Sequence, residues 1–175
     1  VSGEPTVASR TVYRGRVISL RVDDVRLPSG RVAQREVVEH PGAAAVVAVT
    51  DQDEVVLVRQ YRKAVGRELL EIPAGTLEAG ETPLACARRE LSEETGLAAG
   101  SLAPLVTFVP SPGVLTEEIT VFLAQGLRPA AGAARAEEEG LRVVRVPRER
   151  ISGLIAAGEI RDAKTLIGLL LLLLR

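Results

Sequence analysis

Three glutamates, Glu90, Glu93 and Glu94, crowd the stretch Arg89-Glu90-Leu91-Ser92-Glu93-Glu94. On an α-helix each residue turns by about 100°, which places all three within a sector of roughly 100°. Carboxylates so clustered repel one another unless a cation sits among them. Oxygen ligands with no His or Cys beside them suit Mg2+ or Mn2+ better than zinc. Such an ion polarises a diphosphate and lowers the pKa of a bound water, which is what hydrolysis of a phosphoanhydride requires. The plain alternative is a solvated acidic helix face. Arg89 can pair with Glu93 at i,i+4, leaving Glu90 and Glu94 to face something else. Other chemistries have little to build on. The single histidine, His40, and the single cysteine, Cys86, lie far apart in the chain, which argues against Ser-His-Asp or Cys-His catalysis and against a multi-cysteine metal site.

The elements that must position these carboxylates follow from punctuation and periodicity. Thr82 can cap a helix that has Pro83 at its first position and stops at Gly96, using proline's preset φ at the start and glycine's left-handed freedom at the end. Leu84, Ala87 and Leu91 form the apolar stripe beside the acidic face. Short β-branched runs between Thr11 and Val38, broken at Pro28-Ser29-Gly30, predict a hairpin. Ala43 to Val49 and Val55 to Val58, separated by Asp51-Gln52-Asp53, predict a second. Leu105 to Val109, Ile119 to Ala124 and Leu141 to Val146 are further strand candidates. Two more helices are expected, Arg148 to Ala157, stopped by Gly158, and Ala163 to Leu174, whose nearly all-round apolarity predicts packing between other elements. Pro129 to Glu139 has no periodicity and reads as a mobile loop. Together these predict one α+β domain spanning residues 1–175, with helices flanking a mixed sheet.

Composition narrows the partners. With 175 residues and 46% hydrophobic content the chain can bury a core of its own. A formal net charge of -1 offers no general attraction to nucleic acid or to an anionic membrane, so neither is expected as a partner. The run Leu169 to Leu174 is too short to span a bilayer, and the N-terminal residues lack the layout of a signal peptide. A lone cysteine fits a reducing cytoplasm. The basic residues are nearly all arginine, Lys63 and Lys164 being the two lysines.

The segment from Gly75 to Leu97 reads Gly75, five residues, Glu81, seven residues, then Arg89-Glu90-Leu91-Ser92-Glu93-Glu94-Thr95-Gly96-Leu97. It resembles the Nudix box at every constrained position, a match expected by chance on the order of 10⁻¹⁰ per start point from average composition. The resemblance implies a loop-helix-loop within an α/β/α sandwich and hydrolysis of a nucleoside diphosphate linked to another moiety. It marks Glu90 and Glu94 as the main metal ligands, the Ala74 carbonyl as a further one, and Glu81 as a second carboxylate near the metal. Glu93 and Arg89 would support the catalytic group, and Gly75 would let the loop turn close to the ion.

Four further features resemble the ADP-ribose pyrophosphatase branch of that family: Arg59-Gln60-Tyr61-Arg62, Glu71-Ile72-Pro73-Ala74-Gly75, Ser111-Pro112-Gly113, and Asp162-Ala163-Lys164-Thr165-Leu166. By that resemblance Arg59 and Arg62 contact phosphate or the terminal ribose with Glu71 as partner, the alternative being a structural ion pair. Pro112 and Glu117 border the ribose, and Glu137 or Glu139 supplies a general base or an extra metal ligand. Val114 stands where the branch often has phenylalanine, leaving Tyr13 as the candidate for adenine stacking. The branch further implies a homodimer formed through residues 1–40, and ADP-ribose as substrate. The alternatives are another nucleotide sugar or dinucleotide, such as GDP-mannose or NADH, and a sensor that binds ADP-ribose without cleaving it.

Overall fold

The β-branched runs near the N-terminus form an antiparallel meander of β1 (Thr6–Arg14), β2 (Ser19–Arg26) and β3 (Val32–Glu39) in the computed structural model, which describes residues 3–131 and 140–175. The turn expected at Pro28-Ser29-Gly30 joins β2 to β3, with Gly30 at φ +82° and its amide donating to the Leu27 carbonyl at 2.8 Å. The strand β1 starts at Thr6, ahead of the expected Thr11. All nine of its residues are exposed, so no in-out alternation marked its beginning. Asp23 on β2 ties the meander together: Ser9 Oγ donates to it at 2.6 Å and the Arg21 guanidinium at 3.0 Å. The chain up to Gly42, with Val109–Glu118, forms one compact unit.

The second unit comprises Ala43–Phe108 and Ile119–Arg175. Its sheet is built on β4 (Ala43–Val49), which has no polar side chain and is buried at six of seven positions. Strand side chains alternate between faces, and those of β4 enter two different cores. Ala43, Ala45 and Val47 join one with Leu57, Ile72, Val121, Ile151, Leu169 and Leu172. Ala44, Val46 and Ala48 join the other with Val56, Cys86, Ala87, Leu91 and Phe122.

The remaining elements are β5 (Glu54–Arg62), β6 (Arg67–Glu71), β7 (Ala74–Thr76), α1 (Pro83–Thr95), β8 (Leu97–Ala98), β9 (Ser101–Phe108), β10 (Ile119–Gln125), β11 (Arg128–Pro129), β12 (Arg142–Pro147), α2 (Ile151–Ala156, after a 3-10 turn at Arg148–Arg150) and α3 (Ala163–Leu173). The seven-stranded sheet runs β12-β5-β4-β10-β9, with β6 on β5 and β7 on β4. The β4 and β10 pair is parallel and the others antiparallel, so the sheet is mixed. Helix α1 covers one face, and α2 and α3 the other, which is the expected α/β/α sandwich.

Two expectations are corrected. Helix α3 is not enclosed by this chain on all sides: Thr165, Gly168, Leu169 and Leu172 are buried, while Leu170 and Leu174 are exposed. The buried positions repeat at the spacing of a single helical face, so only one stripe meets the sheet despite the run of leucines. The strands β6 and β7 went unread because their register on β5 and β4, rather than any local alternation, makes them strands. Of the loop expected at Pro129 to Glu139, Pro129 pairs with Leu97 and residues 132–139 lie outside those described.

Candidate active site

The acidic helix forms as its punctuation requires. The Thr82 side chain accepts from the Ala85 amide at 3.3 Å, Pro83 opens the helix, and Gly96 closes it at φ +71° with its amide on the Ser92 carbonyl at 2.8 Å. A cap of this kind contributes about 1 kcal/mol. Cys86, Ala87 and Leu91 press the helix onto the sheet. That packing turns the acidic face toward the loop around Gly75. The Ala74 amide donates to Glu94 Oε2 at 3.1 Å, and Glu94 is buried. The Glu90 carboxylate lies over Gly75 in the space a side chain would fill: even its farther oxygen, Oε2, would stand only 2.6 Å from a Cβ added there.

Arg89 organises the remaining carboxylates. Its guanidinium grips Glu81 at 3.0 and 2.9 Å, reaches Glu90 Oε1 at 2.5 Å and Glu93 Oε2 at 3.2 Å, and donates to the Thr76 carbonyl at 3.2 Å. The expectation that Arg89 engages Glu93 and leaves Glu90 aside is therefore corrected, since a planar fork with five N–H donors can serve several acceptors at once. Hydrogen bonds from Arg89, reinforced by the Glu78 amide, bring the Glu81 carboxyl down to about 2. The same contacts, Glu81 first, raise Arg89 further above its ordinary value. Cys86, at the centre of this packing, is pushed up to about 12 by burial and then by the neighbouring Glu81 charge.

A second polar group adjoins the loop through the backbone. Arg62 grips Glu71 with two parallel bonds of 2.9 and 2.8 Å, and Lys164 Nζ reaches the same carboxylate at 2.5 Å. Glu71 is 1% exposed. Burial works to raise its pKa, yet Arg62 and Lys164 together outweigh it and hold the carboxyl below its ordinary value. Arg62 and Glu71 are thus brought together; Arg59 is not with them. Arg59 lines a cleft of about 200 Å³ with Leu70, Val146, Arg150 and Leu154.

In the N-terminal unit, Glu117 lies 3.5 Å from His40 Nδ1, which accepts from the Gly42 amide at 3.1 Å. Pro112 sits in an exposed turn in which the Leu115 amide donates to the Ser111 carbonyl at 2.9 Å. Tyr13, on β1, is 58% exposed, and its ring covers Gly15. Glu137 and Glu139 lie outside the described residues. Sequence reasoning assigned no role to Asp162, Lys164 or Thr165, although their motif was visible and Lys164 is one of two lysines in an arginine-rich chain.

The carboxylates gathered at the loop are Glu90, Glu94 and, through Arg89, the neighbouring Glu81, with the Ala74 carbonyl the backbone oxygen expected beside them, while the Cys86 thiol donates to the Gly75 carbonyl at 3.4 Å. Among the described residues no three Asp, Glu, His or Cys side chains close into a metal cage. Mg2+ does not ask for one, because it is commonly held by one or two carboxylates while water and substrate phosphate complete its shell. The lack of a Cβ at Gly75 leaves the Glu90 carboxylate beside the loop backbone, so the residues present fit such an ion.

Residues 39–167 match the NUDIX domain, and residues 4–38 match the nucleoside diphosphate sugar hydrolase N-terminal domain. The chain is 44% identical over 163 residues to the ADP-ribose pyrophosphatase of Bacillus subtilis (strain 168), covering 93% of this chain and 88% of that protein. It is 41% identical over 165 residues to the methanol dehydrogenase activator of Bacillus methanolicus, covering 94% and 89%. Among solved structures, that of an ADP compounds hydrolase superposes with a TM-score of 0.86 at 25% identity, covering 98% of this chain and 93% of the other. With the box residues gathered on one loop and helix, and both family models matched in order along its length, this chain belongs to the Nudix family of pyrophosphohydrolases.

Proposed function

We propose that the chain hydrolyses the diphosphate linkage of ADP-ribose to AMP and ribose 5-phosphate, with Mg2+ as cofactor and Mn2+ able to replace it. The observation that carries this reading is the Glu90 carboxylate seated over Gly75 beside Glu94, in a chain aligned over most of its length with an ADP-ribose pyrophosphatase. Glu90, Glu94 and the Ala74 carbonyl would hold the ion, with Glu81 as the neighbouring carboxylate. When bound, the ion would polarise the diphosphate and acidify a water for attack on phosphorus. Arg89 restrains Glu90 and Glu93 in the meantime. Arg62, fixed by Glu71, presents a planar cation suited to a phosphate, and Arg59 is a further candidate contact. By family resemblance, Glu137 or Glu139 deprotonates the water, Pro112 and Glu117 border the ribose, and Tyr13 stacks on the adenine.

The exposed β1, which carries Val7, Val12 and Tyr13 at the surface, supports a homodimer built through residues 1–40 as part of one functional domain. No helix among the described residues is long and apolar enough to cross a membrane. The formal net charge of -1 and the lone buried cysteine support a cytoplasmic enzyme with a small nucleotide substrate, and neither nucleic acid nor membrane as partner. The N-terminal match to nucleoside diphosphate sugar hydrolases favours a second reading, the same chemistry on another nucleotide sugar or dinucleotide.

A panel of ADP-ribose, GDP-mannose and NADH with Mg2+ separates the two readings. ADP-ribose is expected to be turned over fastest, and a large preference for GDP-mannose would overturn the substrate assignment. Glu94→Gln keeps an oxygen for the Ala74 amide, so the fold should survive while the rate drops by about 10² or more. Near-normal turnover of this variant, or ADP-ribose bound but never cleaved by the wild type, would sink the metal assignment or the enzyme reading respectively.

A further inference from the structure

The start of α3 and the strand entering the Nudix box close a hydrogen-bonded ring. Lys164 Nζ joins Glu71 Oε2 at 2.5 Å to Asp162 Oδ2 at 2.9 Å. Asp162 Oδ2 accepts from the Thr165 amide at 3.0 Å and from Thr165 Oγ1 at 2.6 Å. Thr165 Oγ1 in turn accepts from the Ile72 amide at 2.9 Å, and the Glu71-Ile72 peptide completes the ring. Thr165 is fully buried and Glu71 nearly so. A buried network with each partner satisfied holds its members to one geometry.

The strand so held leads directly into the metal loop. After Glu71 and Ile72, the Pro73 carbonyl accepts from the Val46 amide at 2.9 Å, the Ala74 amide donates to Glu94, and Gly75 underlies Glu90. Five consecutive residues are thus fastened in turn to α3, to the sheet and to the acidic helix. Without the ring, Ile72 loses its bond to α3 and Glu71 keeps only Arg62 and its pairing on β5, so the placement of Ala74 and Gly75 against α1 loosens although β7 stays on β4.

We propose that Asp162, Lys164 and Thr165 are positioning residues for the reaction, holding Ala74 and Gly75 where the Glu90 and Glu94 carboxylates can share a divalent cation with the loop backbone. The inference rests on the metal reading above. It assigns a purpose to the Asp162-Ala163-Lys164-Thr165 motif without any contact to substrate.

The test uses the full chain with Thr165→Val, which removes the hydroxyl at nearly constant volume, and Lys164→Met. Thr165→Ser and Lys164→Arg serve as conservative partners. Mn2+ affinity is measured by calorimetry without substrate, and kcat and KM with ADP-ribose at saturating Mg2+. Thr165→Val and Lys164→Met are expected to weaken Mn2+ binding at least fivefold and lower kcat about tenfold, with KM within twofold of wild type. Thr165→Ser and Lys164→Arg should restore most of both. A network that served folding alone would lower the melting temperature and leave the Mn2+ affinity of the folded protein unchanged, and that result overturns the proposal. So does a rise in KM alone, which would assign the ring to Arg62 and substrate instead. Should Lys164→Met fail to fold, Thr165→Val decides. A wild type that binds no Mn2+ overturns the metal reading and this inference with it, whereas a wild type that binds Mn2+ beside variants that match it overturns only the inference.

Discussion

Gly75→Ala isolates the contact on which the metal geometry turns. Gly75 is not among the glycines in the left-handed region, so alanine meets no backbone strain there and the effect of its methyl group is purely local. That methyl would stand 2.6 Å from Glu90 Oε2 and nearer still to Oε1 and Cδ, where ordinary contact begins at 3.4 Å. The carboxylate must therefore retreat by about 1 Å or more. A displacement of about 1 Å in a catalytic group can cost 10²-fold in rate, or about 2.7 kcal/mol of transition-state stabilisation. Because Glu90 is the movable end of a flexible side chain, folding stability should change by less than about 1 kcal/mol. The assay is ADP-ribose hydrolysis across a Mg2+ titration, with urea unfolding as the control. A double-mutant cycle sharpens it: in a Glu90→Gln background the Gly75→Ala change should add little, since both act through one carboxylate. Activity of Gly75→Ala within threefold of wild type, or fully additive losses in the cycle, would refute the reasoning.

Gly168→Ala should destabilise the fold despite alanine's helix preference of about 1 kcal/mol. Its methyl would meet Val47 Cγ2 at 2.8 Å and Ile72 and Val121 at 3.3 Å, and overpacking of that kind costs about 1–3 kcal/mol; urea unfolding showing a gain in stability would contradict the packing of α3. Glu81 has its folded pKa depressed from 4.5 to about 2, so its contribution is complete above pH 4.5 and is lost as pH falls toward 2. Glu81→Gln should accordingly flatten the fall of stability across that window, and an unchanged slope would count against the Arg89 pairing. The Cys86 thiol, buried and pushed up to about 12, should resist thiol-reactive dyes at pH 8 until denaturant is added. Rapid stoichiometric labelling of the native protein would show that α1 does not seal it.

Where local chemistry decides structure, the elements could be read directly. Helix α1 has its cap, its proline and its closing glycine at the expected residues, because each acts on backbone groups within one turn. The first hairpin turn was visible for the same reason, and β4 was visible as an unbroken apolar run. The strands β6 and β7 were not, since Arg67-Glu68-Leu69-Leu70-Glu71 becomes a strand only by pairing with β5. The leucine run of α3 predicted burial all round, but hydrophobicity reports what a side chain prefers and not how much neighbouring surface exists to cover it.

The residue types of the Nudix box, and their spacing, by themselves determined the reaction class: three glutamates on one helical face, an oxygen-only donor set and a glycine where the chain must come close. Tertiary structure alone decided how those carboxylates are shared. That Arg89 reaches across to Glu81 and the Thr76 carbonyl as well as to its helical neighbours Glu90 and Glu93, that Glu94 takes the Ala74 amide, and that Glu71 lies between Arg62 and Lys164 all depend on how the loop, the sheet and the helices pack. Spacing along a helix sets which groups share a face; which partner each one takes is set by the packing of the sheet that brings the partners there.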